Sequence, residues 1–233
     1  MPLLKAITDR IIRDATWGRI TTEFVSYPWF GQNIIIPRDW MGALMKSWEP
    51  QSISYLFEHV QNGDIAVDVG ACLGLYTVIF SRLVGTKGHV FAFEPDPYMF
   101  RLLRANIKAL ELKNVSAVAM ALADTNSVSD FYVTDGGMSS LEPMAGLRSI
   151  VQVSVKTLDS LGIPRVDWMK IDTEGTEHLV LAGAKQLIER CGPRMLIEFL
   201  PVFGNTDKLL QALEGWKIQG LDNNILCEPN TYS

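Results

Sequence analysis

The segment KIDTEGTEH, residues 170–178, sets Asp172, Glu174, Glu177 and His178 within seven positions, directly after an apolar stretch that reads as a buried strand. Carboxylates and an imidazole this close together can remove a proton as general bases or contact a cofactor. Paired carboxylates can also share a Mg²⁺ ion with water and substrate, and acids in a first helical turn suit the helix dipole without any further role. Asp172 ends its strand, where a doubly wound sheet opens its ligand crevice. Glu174 and His178 are four apart at the start of a helix predicted over EGTEHLVLAGAKQLIER, which sets them on one face. Glu177 projects to a neighbouring position and reads as a helix-start residue. Glu198, closing the strand RMLIEFL, is placed to complete the polar pocket.

A second group lies upstream in VDVGACLGLYT, residues 67–77. A strand ends at Asp68-Val69-Gly70, and Ala71 leads through the turn to Gly74, where a helix begins. Glycine lets the chain take positive φ and lets a ligand approach the backbone, while the helix start offers N–H groups to an anion. The spacing lacks G-x-G-x-x-G, so a pyrophosphate is disfavoured. Glu94 ends the next strand, HVFAFE, where doubly wound folds place an acid for ribose hydroxyls. Asp124, after the third strand, is placed to receive an adenine amino group.

These residues need a scaffold, and the pattern from residue 65 onward supplies one. Strands are predicted at IAVDVG, HVFAFE, NVSAVAMALAD, VDWMKID and RMLIEFL, alternating with helices that include PDPYMFRLLRANIKAL, capped by Asp96 with Pro97 in its first turn. Such alternation specifies a doubly wound, mostly parallel α/β sheet. WKIQG and NILCE read as a closing hairpin that brings one antiparallel strand to that edge. Residues 125–150 break the alternation as an insert, with SVSDFYV and SIVQVSV able to pair across a loop.

Residues 1–50 read as an extension: an amphipathic helix over 3–15, a hairpin over 20–37 and a helical stretch through Trp48. The helix reads as a lid or packing element, a dimer contact, or a membrane-surface helix. Residues 51–233 form the ligand-binding domain. Apolar residues make up 48% and charged residues 20%, which specifies a globular fold. A net charge of -5 argues against nucleic-acid partners, which need a basic surface. Cys72, Cys191 and Cys227 lack metal-ligand spacing and fit a reducing cytoplasm. No apolar run is long enough for a membrane span, and the charged start MPLLKAITDRIIRD lacks the apolar segment of a secretory signal.

DVGACLGLYT, FEPDP, RANIKAL, VKTLDSL and above all WMKIDTEGTEHLVLAGA with IEF together resemble the FkbM-type methyltransferases, over roughly residues 52–200. The resemblance implies a class I, Rossmann-like seven-stranded sheet, S-adenosylmethionine as cofactor, and O-methylation of a hydroxyl on a small molecule, natural product or glycan. Carried over by motif position, the resemblance implies that Asp68 and Gly70 line the methionine part, with Ala71 also at the cofactor and Gly74 closing the turn, that Glu94 holds the ribose, and that Asp124 with the adjoining Ala123 backbone holds the adenine. Asn106 is a structural hydrogen-bonding residue. The family usually has Asn where this chain has Cys72. Asp172 and Glu174 are then expected to face the acceptor hydroxyl, with His178 as the base. Mg²⁺ is the less favoured reading, because no second acidic cluster is evident. The N-terminal region and the insert shape the acceptor pocket, with Trp29, Trp40, Trp48 and Ser139 as candidate contacts. The competing readings are a nicotinamide-dependent oxidoreductase and a cofactor-binding module without activity; the missing G-x-G-x-x-G weakens the first.

Overall fold

Short apolar runs that carry side chains to both faces are the mark of strands buried on both sides, and five such runs build the centre of this protein. The computed structural model describes residues 24–29, 32–37, 49–134, 138–143, 145–201 and 205–230. The expected helices over 3–15 and through Trp48 lie outside these residues, as do the side chains of Trp29, Trp40 and Trp48.

In chain order the elements are β1 (Phe24–Trp29), β2 (Gln32–Pro37), α1 (Pro50–His59), β3 (Ile65–Val69), α2 (Leu75–Val84), β4 (His89–Phe93), α3 (Pro97–Ala109), β5 (Val115–Val118), β6 (Ala121–Leu122), β7 (Ser127–Thr134), β8 (Leu147–Lys156), β9 (Trp168–Ile171), α4 (Glu177–Gly183), α5 (Lys185–Cys191), β10 (Arg194–Glu198), α6 (Thr206–Ala212), β11 (Lys217–Leu221) and β12 (Asn224–Glu228). The central sheet has seven strands in the order β11-β12-β10-β9-β3-β4-β5. The β5-β4-β3-β9-β10 pairings are parallel. The expected antiparallel strand is β12, which pairs antiparallel with both β10 and β11 and so lies one place in from the edge.

Alternation along each strand divides the core. Ala66, Val90, Trp168 and Leu196 pack with α1, α2 and α3 on one face; Val67, Phe93, Met169 and Ile197 pack with α4, α5 and α6 on the other. The hairpin β1-β2 is present as expected, and Ile34, Ile35 and Ile36 are buried in the first of these layers.

Two elements depart from the sequence expectation. NVSAVAMALAD is not one strand: β5 ends at Val118, and β6 leaves the central sheet to pair with β8 in a three-stranded sheet that also holds β7. The β7-β8 pairing itself is as expected. EGTEHLVLAGAKQLIER is not one helix: it begins at Glu177 and breaks at Ala184. Gly183 lies so close to the Ala123 carbonyl that a Cβ would stand 1.9 Å from it. The second helix is started afresh by Asp159, whose carboxylate accepts from the Gln186 and Leu187 N–H groups.

Asn106 on α3 ties the hairpin to the central domain. Its Oδ1 accepts from Ile35 N at 2.7 Å, and its Nδ2 donates to the carbonyls of Ile35 and Leu73. Replacing this buried residue by Leu leaves those backbone groups without a partner and is expected to destabilise the protein by about 3 kcal/mol in urea unfolding. A loss below about 0.5 kcal/mol would remove Asn106 from the structural role.

Candidate active site

The strand ends at β3 and β9 are drawn together by the backbone. Gly70 has φ +77, and a Cβ on it would stand 1.7 Å from the Asp172 carbonyl oxygen, while Asp172 N donates to Val69 O at 2.9 Å. Only glycine allows both the left-handed conformation and that contact. On one side of this junction the chain order runs toward β4 and β5, on the other toward β10, so a crevice opens above it. A cavity of about 250 Å³ occupies the crevice, close to the lower bound of roughly 300 Å³ for small-molecule sites.

One end of the cavity is the glycine turn. Gly70 N and Ala71 N both donate to Phe93 O, and Cys72 N donates to Glu94 Oε2 at 2.6 Å. Most of the N–H groups expected to await an anion are therefore engaged within the protein. Cys72 has φ 52, a left-handed conformation that Asn tolerates better than most residues, which accounts physically for the usual family residue. Burial and the neighbouring Glu94 push the thiol pKa well up, so Cys72 is a neutral group.

Glu94 is almost wholly buried, and its other oxygen accepts from Asp96 N at 2.7 Å. Burial pushes its pKa up to about 8 against the pull of these two N–H groups. A protonated carboxyl keeps one O–H donor and spare acceptor capacity beyond these two bonds, so Glu94 can still meet a ligand hydroxyl. Asp68 lines the same end; burial raises it to about 6, and its Oδ2 accepts from Thr77 Oγ1. Asp96 caps α3 through Tyr98 N and Met99 N, and accepts from Ser139 of the insert. The two residues expected at an adenine are not among those that line the cavity. Ala123 faces Gly183 and Asp124 is exposed, while Met120, Ala121 and Leu122 line the cavity, because the chain turns out of the central sheet after β5.

The other end is acidic. Asp172, Glu174 and Glu198 each place an oxygen within 4.8 Å of the other two. The expectation that Glu174 and His178 share a helical face fails, because Glu174 has φ 55 and precedes the helix. Asp172 and Glu174 do line the cavity; His178 is not among its lining residues. The His178 ring is part-buried, its Nδ1 has no hydrogen-bond partner among the described residues, and burial, then Lys208, lowers its pKa. Glu177, expected only as a helix-start acid, is a buried brace: its Oε1 accepts from Thr173 N, Thr173 Oγ1 and Gly175 N, shaping the turn that presents Glu174. Ser140 of the insert donates to the Thr173 and Glu174 carbonyls and holds the turn from outside.

Lys170, Glu49 and Tyr76 complete this wall, and none stood out in the sequence, although a lysine inside the run VDWMKI is itself a signal. Lys170 Nζ lies 2.8 Å from Asp172 Oδ2 and 5.1 Å from the Tyr76 ring centroid. The Tyr76 hydroxyl donates to Glu49 Oε2. Burial raises the pKa of Glu174 and of Glu198, and Asp172 adds to both shifts. The spacing of the three carboxylates could accept a hard divalent ion, but such an ion would face the Lys170 ammonium beside Asp172.

Glu94 supplies a stability signature. Folded, it holds its proton up to about 8; unfolded, it releases it near 4.5. Its contribution is full below the unfolded value and lost as pH rises through about 8, and Asp68 acts in the same sense up to about 6. The melting temperature of the ligand-free protein is therefore expected to fall over that window, less steeply in Glu94→Gln. An equal slope in the variant would show that Glu94 does not carry the effect.

Comparison with known proteins agrees with this architecture. The methyltransferase FkbM domain family matches residues 68–218, well over half of the chain. A protein-L-isoaspartate O-methyltransferase of Ignicoccus hospitalis is 31% identical over 80 residues, 34% of this chain and 38% of that protein. The hexuronic acid methyltransferase AglP of Haloferax volcanii is 28% identical over 144 residues, 60% of this chain and 58% of that protein. The chain thus spans less than two thirds of the length of either relative. The crystal structure of a methyltransferase FkbM from Methylobacillus flagellatus shares the fold, with a TM-score of 0.55 and 16% identity over 71% of this chain and 43% of that one. By this match, which runs from the end of β3 into the start of β11, the chain belongs to the methyltransferase FkbM domain family.

Proposed function

We propose that the protein is an S-adenosylmethionine-dependent O-methyltransferase acting on a hydroxyl of a small molecule or glycan. The observation that carries this reading is the single cleft whose two ends differ: a glycine turn with Glu94 at one, and Asp172, Glu174 and Glu198 at the other. In this reading Asp68, Gly70, Ala71 and Gly74 hold the amino-acid end of the donor. Glu94 accepts the ribose hydroxyls, and Met120 to Leu122 flank the adenine in place of Ala123 and Asp124. Nothing in the set is suited to a pyrophosphate, which weighs against a dinucleotide.

The donor supplies an electrophilic methyl group. The hydroxyl oxygen forms a bond to that carbon as the carbon–sulfur bond breaks, the electron pair stays on sulfur, and the hydroxyl proton passes to a carboxylate. Orientation and exclusion of water do most of the work in such a displacement. The proton acceptor is drawn from Glu174 and Glu198: burial and then Asp172 raise both, so that each, once ionised, takes up a proton more firmly than an ordinary carboxylate. His178, expected as the base, stands outside the cavity lining. The reading needs no metal, since Lys170 supplies the local positive charge.

The lining also bears on the acceptor. Glu49, Asp68, Glu94, Asp96, Asp172, Glu174 and Glu198 face one cation, Lys170, among the described residues. That cation is already paired with Asp172, so no other cation of the described lining is left to receive an acceptor carboxylate, and an uncharged hydroxylated acceptor is favoured over a sugar acid, although the Haloferax relative is named for a hexuronic acid. The insert contributes Phe131, Ser139 and Leu141 to the cavity and fits an acceptor-shaping role.

S-adenosylhomocysteine, and not NAD, is expected to raise the melting temperature. Labelled methyl is expected to reach a neutral hexose methyl glycoside faster than the matching hexuronic acid glycoside, with or without EDTA. Glu174→Gln and Glu198→Gln should each cut turnover by about a hundredfold, His178→Ala by less than about threefold. Stabilisation by NAD alone would overturn the donor assignment, and absence of transfer to the neutral glycoside would overturn the acceptor assignment.

A further inference from the structure

A lysine with no exposed side-chain surface sits inside a central strand, where an apolar residue of similar length would avoid the cost of burying a charge. Lys170 shares its β9 face with Trp168 and Asp172, and stands opposite Asp68 on β3 and Leu196 on β10. Burial lowers its proton affinity, but Asp172, Glu49 and Glu198 more than restore it, so the ammonium stays charged. Its surroundings span both halves of the cleft. Tyr76 belongs to α2, which leaves the glycine turn; Asp172 belongs to the acidic wall.

We propose that Lys170 is a positioning residue for methyl transfer that acts through Asp172, locking the carboxylate against α2 so that donor and acceptor ends of the cleft keep one alignment. This assignment rests on the methyl-transfer reading above. Lys170 stands in the cavity wall with no exposed side-chain surface, whereas the Asp172 side chain in the same wall is 22% exposed and is the one open to an acceptor. The ammonium holds Oδ2 from behind and the Tyr76 ring holds the ammonium in turn. Tyr76 is itself fastened to Glu49, so the carboxylate is tied to the entry of α1 as well as to α2. A displacement reaction is sensitive to such placement: a shift of about 1 Å in the reacting groups costs about a hundredfold in rate.

The test is a double-mutant cycle on labelled-methyl transfer to the neutral hexose methyl glycoside, with S-adenosylhomocysteine thermal shifts as the control. Lys170→Met and Asp172→Asn are each expected to lower kcat by about a hundredfold, with KM and the thermal shift nearly unchanged. The double variant should be no slower than Asp172→Asn, because Lys170 has nothing left to position. Losses that multiply in the double variant, or a Lys170→Met defect confined to KM, would overturn the proposal. Should Lys170→Met give no cooperative melting transition, Lys170→Gln replaces it in the same cycle, with the same outcomes deciding. A wild-type protein stabilised by S-adenosylhomocysteine but inert on the glycoside sinks the acceptor reading, and one not stabilised sinks the donor reading; either removes the Lys170 assignment with it.

Discussion

The contact between Gly70 and the Asp172 carbonyl is the constraint on which the rest of the cleft depends. It joins the ends of β3 and β9 where the strand order reverses, at a distance that leaves no room for a side chain. Everything that lines the cavity is placed relative to that junction. The glycine turn and Glu94 follow from the β3 side; Asp172, the Glu177-braced turn and Glu198 follow from the β9 side. A ligand in the crevice therefore meets two walls whose separation is set by backbone, not by the rotamers of long side chains.

The electrostatics follow from the same geometry. Parallel strands ending together bring their terminal acids together, and a crevice dry enough to bind a small molecule also withholds the water that would screen them. The molecule relieves this in three ways. Backbone N–H groups approach Glu94, a tyrosine hydroxyl approaches Glu49, and a single ammonium serves Asp172. Glu198 Oε2 has no partner at all among the described residues. The acids left with least compensation are those that face the proposed acceptor, and they are the ones whose proton affinity is most useful to a hydroxyl group that must lose its proton.

Much of this was readable in the residues. The five core strands announce themselves through continuous apolar runs, and Asp96-Pro97 marks a helix start through local chemistry that tertiary packing does not override. Asp68, Gly70, Glu94 and Asp172 are legible for a related reason: they sit at strand ends, and strand ends are where this architecture keeps its ligands. The misreadings share another cause. Glu174 looked helical because the period continues through it, but a left-handed residue followed by Gly175 can be recognised only once Glu177 is seen bonding back to that turn. Ala123 and Asp124 looked continuous with β5 because nothing local signals that β8, more than twenty residues on, will draw the chain into another sheet. Lys170 was hidden by its setting, since a buried cation is meaningful only through partners on β3, β10, α1 and α2 that are remote in sequence.

The insertion of β12 between β10 and β11 has a consequence for how the chain acquires its shape during synthesis. Residues 194–198 form before their antiparallel neighbour exists, so the β10 edge, with Met195, Leu196 and Ile197 fully buried in the finished protein, must wait for residues 224–228 to emerge. Until then that edge is an unpaired hydrogen-bonding template carrying apolar side chains, the kind of surface on which nascent chains adhere to one another. Only two residues, 222 and 223, separate β11 from β12, so the last two strands reach that edge as one hairpin. The acidic wall, whose Glu198 pairs opposite Asn224, is thus complete only once the last strand is in place.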